Sequence, residues 1–127
     1  MTVYVIDTNA LIFAFANSRR LTKPAAAALG DHGAVRVVSA ASIYEITWKH
    51  RLGKLALDPA DVRRGLRASG LEVRSTTEAV MYRAASLDWD HRDPWDRMIA
   101  AQAIDLEALL VSSDNDFDAL EQIDRIW

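Results

Sequence analysis

The sequence predicts an α/β fold in which a parallel sheet is covered by helices on both faces. Apolar runs of strand length, rich in β-branched residues, recur at residues 3–6, 34–39 and 109–114. The stretches between them carry helix caps and stops. The two kinds of segment alternate along the chain, and alternation of that kind implies crossover connections between parallel strands.

The first run, VYVI at residues 3–6, is continuous and apolar, as a fully covered strand requires. It ends abruptly on a carboxylate, Asp7. Thr8 to Phe15 then reads as one or two helical turns, with Leu11, Ile12 and Phe15 at helical spacing. In LTKPAAAAL, residues 21–29, Thr22 stands as an N-cap before Pro24 and the alanines carry a helix onward. AVRVVS, residues 34–39, is the second strand. It leads straight into SAASIYEITWKHRLG, where Ser39 caps the helix, Ile43, Ile46 and Trp48 offer an apolar side, and Gly53 stops it.

Asp58 before Pro59 opens another helix, which runs to Gly70. LEVRS, residues 71–75, is a weak strand, and the helix after it is opened by Thr76 or Thr77. In RDPWDRMIAAQAIDLEA, Asp93 is the N-cap, Pro94 takes the first helical position, and Asp96 lies in the first turn, where negative charge suits the helix dipole. LLVSSD, residues 109–114, closes a strand on Asp114, and IDRIW supplies a last edge strand. No repeat, low-complexity tract or linker interrupts this order, so residues 1–127 read as a single domain.

Composition narrows the class. A 127-residue chain that is 50% hydrophobic and 26% charged has the balance of a folded, soluble protein. The absence of cysteine excludes disulfide staples and thiolate metal sites, and fits a reducing cytoplasm. No apolar run approaches the roughly 20 residues needed to span a bilayer, and no signal-like segment opens the chain, so a cytoplasmic protein without membrane contact is expected. Fifteen Lys and Arg against eighteen Asp and Glu give a net charge of -3, which argues against a broad basic surface for nucleic acid. Acidic charge gathered at one site, however, can be reversed locally by a bound divalent cation.

Four acids are placed to gather in that way. Ligands of open α/β sheets bind at the carboxyl ends of the strands. Asp7 and Asp114 each follow a strand and so point to that edge. Glu45 lies in the helix that begins just after the second strand, on the turns nearest the same edge. Asp96 is three residues from Asp93 on one helix surface. Neighbouring carboxylates repel, so such a group must take up a proton or a cation. Hard oxygen ligands suit Mg²⁺ or Mn²⁺, and two such ions about 3.5–4 Å apart can activate water and stabilise the leaving oxygen of a phosphodiester. In that arrangement Asp7, Asp96 and Asp114 bind metal directly, while Glu45 binds a second ion or orients the attacking water.

At these residues the chain closely resembles the PIN-domain ribonucleases, and among them the toxin subunits of VapBC-type toxin–antitoxin pairs. The matching segments are VIDTNALI, SAASIYEITWKHRLGKL, HRDPWDRMIAAQA and LLVSSDNDF, in the family's order and together spanning nearly the whole chain. The resemblance implies a three-layer α/β/α fold with a central, mostly parallel sheet. It carries over Asp7, Glu45, Asp96 and Asp114 as the catalytic, metal-binding acids. Asp93 and Asp116 become auxiliary groups, and Thr8, Asn9 and Ser112 hydrogen-bonding supports. It further implies Mg²⁺- or Mn²⁺-dependent endonucleolytic cleavage of single-stranded or looped RNA, a homodimer, and inhibition by a cognate VapB-like antitoxin that directs a basic side chain at the acids. Trp95 stands where the family often has Phe, and Ser112 where Thr is usual; neither change removes a ligand.

Other readings compete. The acids of DNDFD, residues 114–118, alternate like a calcium loop, but its sixth position is Ala119 and its twelfth Arg125, where an EF-hand needs Gly and a bidentate Glu. An aspartyl-nucleophile phosphatase would suit Asp7, yet the residue two positions on is Asn9, which cannot do acid–base work. His91 positions phosphate or, as a structural residue more often does, hydrogen-bonds near the helix start. Lys49, Arg51, Lys54, Arg92 and Arg97 are candidates for RNA backbone contacts, whereas Arg63, Arg64 and Arg67 read as a solvated helix face. Trp48, Trp89 and Trp95 stack bases, receive an antitoxin segment or fill the core. The competing functional class is a non-catalytic α/β module that holds a cation or a partner's basic segment in the same pocket.

Overall fold

The computed structural model describes all 127 residues, Met1 to Trp127. Strands β1 (Val3–Ile6), β2 (Val35–Ser39), β3 (Glu72–Arg74), β4 (Leu109–Val111) and β5 (Arg125–Ile126) form one sheet in the order β3-β2-β1-β4-β5. Every neighbouring pair is parallel. From β1 the chain steps outward to β2 and β3, then returns to the far side of β1 to lay down β4 and β5. The reversal between β1 and β4 opens a crevice at their carboxyl ends, the usual ligand position in open α/β sheets. Register aligns the floor of that crevice: Ile6 pairs with Val38 on one side and Val111 on the other. Asp7, Ser39 and Ser112, the next residue on each strand, therefore stand at one level.

Alternation along the strands divides the core into two layers. Ile6, Val38 and Val111 face helices α1 (Thr8–Ala16), α2 (Lys23–Leu29), α3 (Ala40–Arg51) and α4 (Pro59–Ser69), burying Leu11, Ala25, Ile46, Val62 and Leu66. Val5, Val37 and Leu110 face the other way, against Ile99, Ala100 and Ala103 of α6 (Pro94–Asp105) and against Phe117 and Leu120. Helix α5 (Glu78–Ser86) packs on α6 through Val80, Ala84 and Ala101. Three layers result, as the sequence predicts, and the sheet is wholly rather than mostly parallel. No helix is long and apolar enough to cross a membrane.

Most element boundaries follow from caps. The side chains of Asp7, Thr22, Ser39, Asp58, Thr77 and Asp93 each accept a backbone N–H at a helix start. Of the two candidates for α5, Thr77 is the cap. Gly70 ends α4 with φ of 72°, a left-handed geometry that disfavours a β-carbon, and a Cβ there would lie 3.2 Å from Arg36 Nη2. Three details depart from expectation. Strand β4 stops at Val111 rather than reaching Asp114, because Ser112 turns its hydroxyl to Asp7 and Ser113 N–H to Asn9. Short 3₁₀ turns form at Ser18–Arg20 and Asn115–Ala119. Trp48, assigned to the apolar side of its helix, is 41% exposed, and Ile46 does the burying.

Candidate metal centre

Asp7 is the most constrained of the acids. It is 2% exposed, and its backbone N–H extends the sheet to Val111 O at 2.9 Å. Oδ1 accepts the Thr8 N–H at 2.8 Å as the N-cap of α1; Oδ2 accepts Ser112 Oγ–H at 2.7 Å and Asn9 Nδ2–H at 3.0 Å. A carboxylate offers four lone-pair sites. Three are taken, and the remaining one, on Oδ1, is free for a ligand. Burial pushes the Asp7 carboxyl up to about 7; the Ser112 hydrogen bond opposes this, and the negative charges of Asp96 and Glu45 add to it.

Ser112 joins Asp7 to the loop after β4. Its Oγ accepts the Asp114 N–H at 3.0 Å while donating to Asp7, and Asn9 Oδ1 accepts Ser113 N–H at 3.1 Å. Thr8 Oγ1 donates to Ser42 Oγ at 2.9 Å, tying α1 to α3. Thr8, through its backbone N–H, and Asn9 and Ser112, through their side chains, all donate to Asp7. Asp114 Oδ1 in turn accepts Asp116 N–H at 2.9 Å.

Glu45, in the second turn of α3, is 5% exposed. Its Oε2 pairs with the Lys49 ammonium one turn on, and its Oε1 is buried without any hydrogen-bond partner. A buried acceptor left unmatched costs roughly 1–3 kcal/mol, so this oxygen is suited to a ligand. Lys49 is held above the usual lysine range: partial burial opposes its charge, but the bond to Glu45 and the fields of Glu45, Asp93 and Asp96 prevail. The lysine thus neutralises acids at the site, where the sequence offered it to RNA.

Asp96 is brought in by α6. Asp93 Oδ1 accepts the N–H groups of Trp95 and Asp96 at 2.9 and 3.3 Å, the expected cap, and so aims the first turn at the crevice. Burial pushes the Asp96 carboxyl up to about 6 and outweighs the hydrogen bond to His91; Asp93 and Glu45 add repulsion. His91 Nε2 lies 2.6 Å from Asp96 Oδ2, and its Nδ1 lies 3.5 Å from Asp116 Oδ2. That contact with Asp96 raises the His91 pKa, burial notwithstanding. One ligand atom each from His91, Asp96 and Asp114 lies within 4.8 Å of the others.

Of the four predicted acids, Asp96 and Asp114 come within ligand reach of each other, with His91 as the third group; Ser112 bonds both Asp7 and the Asp114 N–H, and Asp7, Glu45 and Asp96 act on one another electrostatically. His91 hydrogen-bonds near the start of α6, as its structural reading expects, and the partner is Asp96 itself. Its signal was position alone, two residues before Asp93. Arg97 is a correction. Its guanidinium donates to the carbonyls of Ala84, Leu87, Trp89 and His91 at 2.8–2.9 Å, and so locks the α5–α6 connection instead of facing solvent for RNA. Trp89 packs in the core against Phe117 and His91. Tyr44, 61% exposed, lies beside Trp48 and Trp95, with ring centroids 6.5 and 6.1 Å away, and Lys49 Nζ sits 5.6 Å over Trp95.

The donor set is oxygen-rich with one imidazole, retains open lone pairs, and carries more negative charge than its cations balance. These residues fit a divalent cation.

The fold is found in known complexes. The crystal structure of VapBC2 from Rickettsia felis bound to a DNA fragment from its promoter aligns with a TM-score of 0.74 at 16% identity, covering 98% of this chain and 97% of that one. DNA-bound VapBC from Salmonella typhimurium aligns with a TM-score of 0.73 at 18% identity, covering 98% and 97%. FitAcB from Neisseria gonorrhoeae gives 0.61 at 15%, covering 96% and 95%. At such identities the likeness is one of fold. No curated protein matches the sequence significantly. The model of the PIN domain matches residues 4–123, nearly the full length. The chain belongs to the PIN domain family.

Proposed function

We propose that this protein is a metal-dependent endoribonuclease that cleaves single-stranded or looped RNA and serves as the toxin of a toxin–antitoxin pair. The observation that carries the reading is Asp7: a fully buried carboxylate at the end of the central strand, pushed up to about 7, with two further acids in its field and one lone pair open. A fold maintains so costly a group only for a use. Membership of the PIN domain family supports nuclease chemistry, and the likeness of the fold to toxin–antitoxin complexes supports the biological role.

Bound Mg²⁺ or Mn²⁺ supplies Lewis acidity toward the scissile phosphate and lowers the pKa of water. Asp7, Asp96 and Asp114 would hold the ion. Thr8, Asn9 and Ser112 fix the orientation of Asp7, and Asp93 fixes the turn that carries Asp96. Glu45 Oε1 accepts a hydrogen bond from the attacking water or ligates a second ion; Asp116 is auxiliary. Attack of the water oxygen on phosphorus breaks the bond to one ester oxygen, and the proton that the water gives up ends, through solvent, on that departing oxygen. Exposed Arg92 draws in the backbone, and the Tyr44, Trp48 and Trp95 faces suit unstacked bases, which favours single strands over duplex. In this reading residues 1–127 are one cytoplasmic domain that pairs as a homodimer, and a VapB-like antitoxin silences it by sending a basic side chain to the acids.

The test is incubation of total RNA with wild type and Asp7→Asn in Mg²⁺, Mn²⁺ or EDTA. Fragments are expected only with wild type and metal. Cleavage by Asp7→Asn at the wild-type rate refutes the reading, and intact RNA throughout favours a non-catalytic module.

A further inference from the structure

We infer that His91 is itself a metal ligand, completing a site with Asp96 and Asp114, and that this nitrogen biases the centre toward Mn²⁺ over Mg²⁺. The inference rests on the metal centre proposed above but concerns a residue outside its acidic set.

The geometry supplies the first argument. Ligand atoms of His91, Asp96 and Asp114 lie mutually within 4.8 Å. Two atoms bound about 2.1 Å from one ion are at most about 4.2 Å apart, so shifts of a few tenths of an ångström close the site. The ring is also pre-oriented. It stacks on Trp89 at 4.7 Å between centroids, Trp89 rests on Phe117, and Arg97 Nη1 donates to the His91 carbonyl at 2.9 Å.

The second argument is the partner of the far nitrogen. A metal-binding imidazole commonly gives its other N–H to a carboxylate, which fixes the tautomer. Here Nε2 lies 2.6 Å from Asp96 Oδ2, and Nδ1 faces Asp116 Oδ2 at 3.5 Å. With the single ring proton on Nδ1 toward Asp116, the Nε2 lone pair turns to the ion. Without metal, an imidazolium pairs with Asp96 and Asp116 through its two nitrogens; with metal, the same Asp116 keeps the one remaining ring proton. Independently, the buried and unmatched Glu45 Oε1 calls for a ligand in the same group of acids. Imidazole nitrogen suits transition ions, whereas Mg²⁺ prefers oxygen throughout, which sets the direction of the selectivity.

The experiment uses the full chain with one equivalent of Mn²⁺. Electron spin-echo spectra should carry ¹⁴N modulation from a bound imidazole, and His91→Gln should abolish it. By calorimetry the same change should weaken Mn²⁺ binding about 10-fold or more, and Mg²⁺ binding less than about 3-fold. Should His91→Gln fail to fold, the double variant His32→Gln/His50→Gln leaves His91 as the sole imidazole, and modulation must persist. Absence of nitrogen modulation, its survival in His91→Gln, or equal losses for both metals overturns the inference. RNA cleavage is read separately: cutting without a nitrogen signal leaves the nuclease reading standing and removes His91 from the ligands, whereas a nitrogen signal without cutting does the reverse. If Mn²⁺ does not bind, the ligation is overturned and cleavage with Mg²⁺ decides the nuclease reading.

Discussion

Asp7 concentrates the tension between stability and function in one side chain. Its three accepted hydrogen bonds favour the charged form, and burial next to Glu45 and Asp96 disfavours it more. Asp7→Asn removes the charge and keeps one acceptor oxygen, which serves either Thr8 or the Asn9 and Ser112 pair while the amide nitrogen takes the other side. Urea unfolding in EDTA at pH 8 should find the variant equal to wild type or more stable by about 1–2 kcal/mol, with RNA cleavage lost. A clear loss of stability would make Asp7 a structural residue. That Asp7 matters was legible in the sequence, because an apolar strand ending on an acid is conspicuous. His91 was not, since a lone histidine has no spacing signal until the fold carries it beside Asp114, 23 positions away by number.

Between elements, the α5–α6 connection presents the same contrast. Asp93 and Pro94 announce the start of α6 by local chemistry, and the helix begins there. Arg97, only three residues on, looks like any solvent-facing cation, yet its guanidinium satisfies the Ala84 carbonyl at the end of α5 and three carbonyls of the irregular loop beyond. Which carbonyls need a donor is a tertiary fact, invisible to periodicity. Arg97→Met keeps the aliphatic packing and strands those acceptors, so urea melts should fall by about 2–4 kcal/mol. Since the connection also holds His91 and leads to Asp96, cleavage should drop with it; unchanged stability would return Arg97 to the surface. Capping residues and glycine stops gave the helices in this way, whereas the short 3₁₀ turns, with few local contacts to mark them, did not.

For the whole molecule, strand order decides where acids distant in sequence meet. With β1 central and the chain reversing between β1 and β4, the crevice forms where Asp7, Ser112 and Asp114 emerge, and α3 and α6 deliver Glu45 and Asp96 to it. Alternation of strands and helices made the parallel sheet legible, but the exact end of β4 depended on hydrogen bonds from Ser112 and Ser113 across to α1. Gathering this charge makes metal-free stability depend on pH. Asp7 and Asp96 titrate near 7 and 6 when folded and from about 3.8 otherwise, so below pH about 4 their burial is free, and stability falls as the pH rises through 6 and 7. His91, raised chiefly by Asp96, adds in the same direction as it loses its proton, whereas Lys49, raised from the ordinary 10.5, stays charged across this range. Unfolding in EDTA should thus be easier at pH 8 than at pH 5 by a few kcal/mol, and saturating Mn²⁺ should erase most of the difference. A flat profile in EDTA would mean that the acids are not coupled as their burial implies.

The most direct measurement is anomalous scattering at the manganese edge from crystals soaked in Mn²⁺. The expected result is a peak bounded by Asp7, Asp96 and Asp114, within about 2–2.5 Å of their carboxylate oxygens. No peak in that crevice at saturating Mn²⁺, or ordered manganese only elsewhere on the surface, would contradict the idea that these acids are assembled to hold a divalent cation.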